Sequence, residues 1–184
     1  MTKIAMFLLG ISLIPAGFSQ HARAQQESYT AILAAPNSGA TQSRFNVRIT
    51  KWTTDDQVKE FGKILKEQGQ DALVSALEKE DAGRIYKVGD TGNQIALAEK
   101  TQVGGDTIIT IITARTISTS ERARNATHEL YPLGFLQLKV NDKGEGTGKM
   151  MSAASVRFDK EQGHFKLEPY GNGYTPVTNV IRNE

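Results

Sequence analysis

The chain carries two hydrophobic rhythms, and the switch between them sets out its elements. Residues 29–34 (YTAILA) form a short apolar run, and Phe45, Val47 and Ile49 alternate with polar neighbours. Both stretches predict strands, separated by the turn-forming segment PNSGATQS at 36–43. The period then lengthens: Val58, Phe61 and Leu65 recur at helical spacing, with Ile64 beside them. Thr54 and Gln57 just upstream have the spacing of a capping box, and Asp55 and Asp56 stand where the helix dipole favours negative charge. Gly69 predicts the end of this helix. A second helical run covers 71–80, with Leu73 and Leu77 on one face and Gly83 as its stop.

From residue 84 the period returns to two. RIYKV (84–88), IALAEK (95–100) and TIITIIT (107–113) read as strands, and the Gly104-Gly105 pair between the last two predicts a hairpin. Ile108, Ile109, Ile111 and Ile112 fall on both faces, which predicts a central strand covered on both sides. Residues 118–134 show no period, and four further strands follow at 135–140, 150–158, 164–169 and 177–182. This plan predicts an α+β fold: a mostly antiparallel sheet of about six to eight strands with two consecutive helices inserted after the second strand.

The first 24 residues have a different character. Lys3 precedes an apolar run from Ile4 to Phe18, and Ala22-Arg23-Ala24 is a small-x-small cleavage site. That pattern predicts a signal peptide at 1–24 and a single domain at 25–184. The apolar run is short for a membrane span, so no span is expected after cleavage. The chain has no cysteine, which excludes both a lipoprotein anchor and disulfide stapling. A periplasmic or secreted location in a bacterium is therefore expected. Removing 1–24 takes away Lys3 and Arg23 and no acidic residue, leaving 20 basic and 20 acidic groups. A neutral chain exerts no long-range pull on nucleic acid, so no nucleic-acid partner is expected.

The stretch NDKGEGTGKM (141–150) invites a phosphate-loop reading, but a G-x-x-x-x-G-K-[ST] motif ending on Gly148-Lys149 would need a glycine at Lys143 and a hydroxyl at Met150. A hairpin turn accounts for it better. Asn141 and Asp142 open the turn and Gly144 closes it. Leu136, Leu138 and Val140 share a face before it, and Met150, Ser152, Ala154, Val156 and Phe158 share one after it. Gly146 and Gly148 have the parity of this second set, so they leave a bare patch where another group can approach closely.

The segment from Leu133 to Arg182, with Asp142 to Gly146, Ala153-Ala154 and Glu168 to Val180 as its marks, resembles the C-terminal part of an uncharacterised family of exported bacterial proteins common in acidobacteria. That family carries a D-x-x-GKGEG-like hairpin and a terminal E-x-Y-x-x-x-P-x-x-L-x-N-V strand. The segment from Phe45 to Leu77 and the ARTIS stretch at 114–118 are similar to it as well. The chain departs from the pattern at Asn172-Gly173-Tyr174, where it is longer. The resemblance implies export and fold, and no activity.

Candidate chemistry is sparse. His128-Glu129 lacks the second histidine of a zinc motif, since Pro132 occupies its place, and His164 is the only other histidine after residue 24. No G-x-S-x-G occurs. Asp55-Asp56 belong to a helix start, and Trp52 is expected to pack as a staple on the first helix. No motif calls for a cofactor or a metal. The long irregular connection at 115–129 gathers Arg115, Glu121, Arg122, Arg124, His128 and Glu129, and long loops of this kind often carry function. These six residues are the candidate binding site, with an envelope protein or a small anionic ligand as partner. The expected function is non-catalytic binding. The alternative is a periplasmic hydrolase using the acidic residues and His128 of the same loop.

Overall fold

A computed structural model describes residues 26–34, 43–87, 89–117, 130–171 and 173–183. They form ten strands and two helices: β1 (Glu27–Leu33), β2 (Ser43–Ile49), α1 (Asp55–Gln68), α2 (Gln70–Leu77), β3 (Gly83–Tyr86), β4 (Asn93–Ile95), β5 (Leu97–Val103), β6 (Asp106–Thr113), β7 (Leu133–Val140), β8 (Glu145–Asp159), β9 (His164–Pro169) and β10 (Thr175–Asn183). The architecture is α+β, with the helices between the second and third strands. The strand count exceeds the six to eight expected: all nine runs with strand character form strands, and the run at 93–103 serves as two, β4 and β5.

All pairings are antiparallel, and the sheet runs in the order β4-β3-β2-β1-β10-β8-β7-β6-β5, with β9 on the far part of β8. The first and last members of that path, β4 and β5, are one stretch of chain interrupted only by Ala96. Its lower half pairs with β3 and its upper half with β6, so the sheet closes into a barrel. The seam is visible in three backbone bonds: Ala82 N–H to Ile95 O at 2.8 Å, Ala96 N–H to Ile112 O at 2.9 Å and Thr53 N–H to Ala98 O at 2.8 Å. Closure removes the unpaired edges that an open sheet would expose.

The inward positions of the strands fill the barrel. Tyr29, Phe45, Val47, Ile49, Ile85, Ile95, Ile109, Ile111, Leu136, Leu138, Val140, Val177 and Val180 pack there, all essentially excluded from water. The helices lie outside, where Phe61, Leu65, Leu73 and Leu77 cover Leu97, Ala114 and Leu133 with Ile112 and Val156. Ile109 and Ile111 thus face the barrel interior and Ile112 faces the helices, which is why isoleucines occupy both faces of β6.

α1 begins as its sequence predicts. Gln57 N–H donates to Thr54 Oγ1 at 3.3 Å, and the Gln57 side chain accepts from Thr54 N–H at 3.1 Å. It ends at Gly69. α2 ends at Leu77, six residues before Gly83, which opens β3 instead of stopping a helix. Trp52 packs against the barrel core rather than on α1.

The turn at 141–144 is the hairpin its residues predict. Asn141 Oδ1 accepts the N–H groups of Lys143 and Glu145, both at 3.0 Å, and Gly144 has φ 82°. The face expected after it is split by a bulge. Phe135 pairs with Met151 but Leu133 with Ala154, so β8 has one residue more than β7 between those points. Side chains reverse there. Met150 lies in the barrel, whereas Val156 meets the helices. Before the bulge, Gly146 and Gly148 lie where β8 crosses very close to β7: a Cβ on Gly146 would fall 1.9 Å from the Lys139 carbonyl oxygen, and one on Gly148 2.4 Å from that of Gln137. The bare patch is filled by the neighbouring strand's backbone.

Candidate functional site

Of the candidate residues in the 115–129 connection, Glu121, Arg122, Arg124, His128 and Glu129 lie outside the described residues. Arg115 is described and exposed. Its carbonyl accepts the Thr113 hydroxyl, which lies wholly buried at the end of β6. Thr116 and Ile117 turn back into the protein, and Ile117 N–H donates to Ser152 O at 2.8 Å, beside the bulge of β8. The connection therefore leaves from the end of the barrel where β6 ends and β7, β10 and the Tyr170 turn begin.

That end carries an aromatic surface. The rings of Tyr131 and Tyr170 meet edge-on with centroids 5.2 Å apart. Tyr170 is 55 % exposed, Tyr174 60 % and Leu130 74 %. Lys149 Nζ stands 6.0 Å from the Tyr174 ring centroid, a cation–π distance, and desolvation holds its ammonium below the usual lysine range. Tyr170 N–H donates to Ala153 O at 2.9 Å, so the bulge anchors this turn as it anchors Ile117. One signal of this surface lies in the sequence, two tyrosines in the short polar stretch EPYGNGYTP, which reads as turn composition alone.

Among the described residues, the hollow near Phe45, Ile85 and Met150 measures about 30 Å³. That is room for about one water molecule. A small-molecule pocket needs hundreds of cubic ångströms. The opposite mouth is closed by a self-satisfied polar cluster. Glu27 is 9 % exposed, accepts the Tyr29 phenol and pairs with Lys100 Nζ at 2.5 Å. The same ammonium stands 5.3 Å from the Trp52 ring centroid. Burial, and then the adjacent Glu27, push the Tyr29 phenol far above its usual range, so it stays protonated.

The remaining candidates hold structural posts. Asp56 pairs with Lys59 at 3.2 Å in the first turn of α1. His164 opens β9 opposite Asp159, and its Nδ1 lies 3.4 Å from the Gln162 carbonyl oxygen. Asp159 caps its own turn by accepting the N–H groups of Gln162 and Glu161, which hold its carboxyl below the usual range. Among the described residues, no three His, Cys, Asp or Glu side chains gather as metal ligands would. None of their helices is long and apolar enough to cross a membrane. No protein family, curated protein or solved structure matches the chain.

Proposed function

We propose that the protein is exported and acts as a non-catalytic binding protein of the bacterial cell envelope, engaging its partner with the barrel end that presents Arg115, Tyr131, Tyr170 and Tyr174. The observation that carries this reading is the exposed tyrosine surface beside the 115–129 connection, on a barrel whose interior is filled. Phenol rings give large contact area at low entropic cost and are enriched at protein interfaces. The described cations here, Arg115 and Lys149, suit an acidic or carboxylate-bearing surface on the partner. A rigid strand end feeding a polar connection is a common way to present such groups. The leader-like segment at 1–24 supports export, with a mature N-terminus at Gln25.

The test places a photoreactive residue at Tyr170 and, separately, at Lys139 on the outer wall of β7, in the protein expressed in its envelope. A discrete adduct from position 170, absent from 139 and lost on Arg115→Ala, is the expected result. Equal adducts from both positions, or none from 170, refute the reading. Arg115→Ala should leave the fold intact, since an exposed charge contributes little to stability, and Arg122→Ala and Arg124→Ala should likewise weaken the adduct without unfolding the protein. Intact mass of the exported protein checks the cleavage after Ala24.

A further inference from the structure

The outer wall of the barrel, away from the tyrosine surface, carries an arrangement of charge that the fold does not require. Arg48 of β2 and Arg84 of β3 stand directly opposite each other in the ladder, both exposed on the outside. Like charges in opposed positions destabilise a strand pair. The approach is close because β3 enters on Gly83, where a Cβ would fall 1.9 Å from the Arg48 carbonyl oxygen. Among the described residues, no carboxylate lies within 4.0 Å of either guanidinium. The partner of Arg48 is neutral: with the Gln26 amide turned to satisfy both groups, its oxygen accepts from Nε at 2.8 Å and Nη2 at 3.0 Å. That bond orients the fork without cancelling its charge.

Both arginines line one open cleft of about 370 Å³, together with the hydroxyl-bearing Thr50, Tyr86 and Thr91. Asp81 and Asp90 line it too, each with an oxygen committed to its own turn: Asp81 Oδ1 accepts Gly83 N–H and Asp90 Oδ1 accepts Gly92 N–H, both at 3.2 Å. We propose that this cleft is a binding site for a compact oxyanion, a phosphoryl or carboxylate group held between the guanidiniums of Arg48 and Arg84. Two guanidiniums at opposed ladder positions in one cleft suit such a group, with the Arg48 donors that Gln26 does not occupy and the fork of Arg84 available to it, and its binding offsets the repulsion between them. The hydroxyls supply further donors. The two carboxylates in the lining disfavour an extended polyanion, so a small ligand suits the cleft better than a nucleic-acid strand.

The test is a titration of the isotopically labelled mature chain, followed by amide resonances, with inorganic phosphate and with acetate, each at ionic strength fixed with chloride. Saturable shifts at Thr50, Gly83 and Arg84 are expected. The tighter of the two anions identifies the group as phosphoryl or carboxylate. Arg48→Ala and Arg84→Ala should each weaken binding roughly tenfold, about the worth of one charge-assisted contact. Arg84→Lys should retain part of it, since charge remains but the fork is lost. Arg157→Ala, which removes a guanidinium already 2.9 Å from Glu168, should change nothing. Shifts that chloride alone reproduces, or affinity unchanged in both alanine variants, overturn the proposal. The tyrosine surface plays no part in this titration, so the two readings stand or fall separately.

Discussion

The same substitution, glycine to alanine, should have opposite effects at two positions in this protein. At Gly146 the added Cβ meets backbone: 1.9 Å to the Lys139 carbonyl oxygen, 2.8 Å to its carbon and 3.0 Å to Val140 Cα. Real Cβ contacts stay at or beyond 3.0 Å, so β7 and β8 must part by at least 1.1 Å at this point. Ladder hydrogen bonds near 2.9 Å do not survive such an opening. Overpacking of this kind costs roughly 1–3 kcal/mol, and one or two weakened ladder bonds add about 1 kcal/mol each. The expected loss is therefore about 2–5 kcal/mol. At Gly62, inside α1, the added Cβ meets only the far end of the Phe165 ring, 3.2 Å from Cζ, and that ring is 41 % exposed and held on one side by an edge-on contact with Phe158, so a shift of a few tenths of an ångström suffices. Alanine is favoured over glycine in a helix by about 1 kcal/mol, so Gly62→Ala should be neutral or stabilising. Urea unfolding measures both, and with a slope of about 2 kcal/mol per molar the Gly146 variant should shift its midpoint by roughly 1–2.5 M. A Gly146→Ala midpoint within error of wild type would show that β7 and β8 do not cross this closely. A strongly destabilised Gly62→Ala would show that Phe165 is fixed.

Other outcomes can be checked with the same equipment. Asn141→Ala removes the acceptor for two backbone N–H groups and should cost roughly 1–2 kcal/mol, while Asn141→Asp, which keeps the oxygens, should stay near wild type; equal losses would refute the turn's role. Glu27→Ala strands the buried Tyr29 hydroxyl and takes the partner from Lys100, so a loss of roughly 2–4 kcal/mol is expected, and a change under 1 kcal/mol would mean the barrel mouth is wetter than described. Burial, and then the nearby Asp55, raise the Glu99 carboxyl above its ordinary 4.5, so the fold prefers it protonated. Its ionisation therefore destabilises the protein as pH rises from 4.5 through the folded value, and Glu99→Gln should raise the melting temperature at pH 7 but not at about pH 4; a shift of the same size at both would assign the effect to packing.

Local chemistry was legible in the sequence, and closure was not. The start of α1 could be read because Thr54, Gln57 and the Val58–Phe61–Leu65 stripe are neighbours along the chain. The turns at Gly104-Gly105 and at Asn141–Gly144 could be read for the same reason. The barrel seam depends on Ala96 reaching Ile112 and Ala82 reaching Ile95. Ile95-Ala-Leu-Ala looks like any apolar strand, and nothing in it says that its two halves serve different neighbours. The bulge of β8 was hidden too, because Ser152-Ala153-Ala154 are small enough to suit either face. At Gly146 and Gly148 the parity exposed a bare patch, but only the register shows that the neighbouring strand itself occupies it. Among candidate site residues, Arg115 could be read as an unsatisfied loop charge. Tyr131, Tyr170 and Tyr174 gain meaning only where two separate segments meet at one end of the barrel.

The pairing of β1 with β10 has a consequence for how the chain reaches this state. Ser28 and Asn183, 155 residues apart, share a hydrogen bond at 3.3 Å, and Leu33 lies opposite Val177. Half of the sheet, β4 through β1, thus joins the other half on this side only when the last strand is in place. Contacts this distant along the chain make for slow folding, on the millisecond-to-second scale typical of β-rich domains. Until β10 docks, β1 offers an unpaired edge, and that interval is when the protein is open to mispairing with other copies. Rearranging the chain so that β10 leads directly into β1, with new ends at the Gly104-Gly105 turn, would turn the most distant pairing into a hairpin. The native architecture would be unchanged, but the pairing of β5 with β6 would now join the two ends of the chain, so the late, unpaired edge would move from β1 to β6.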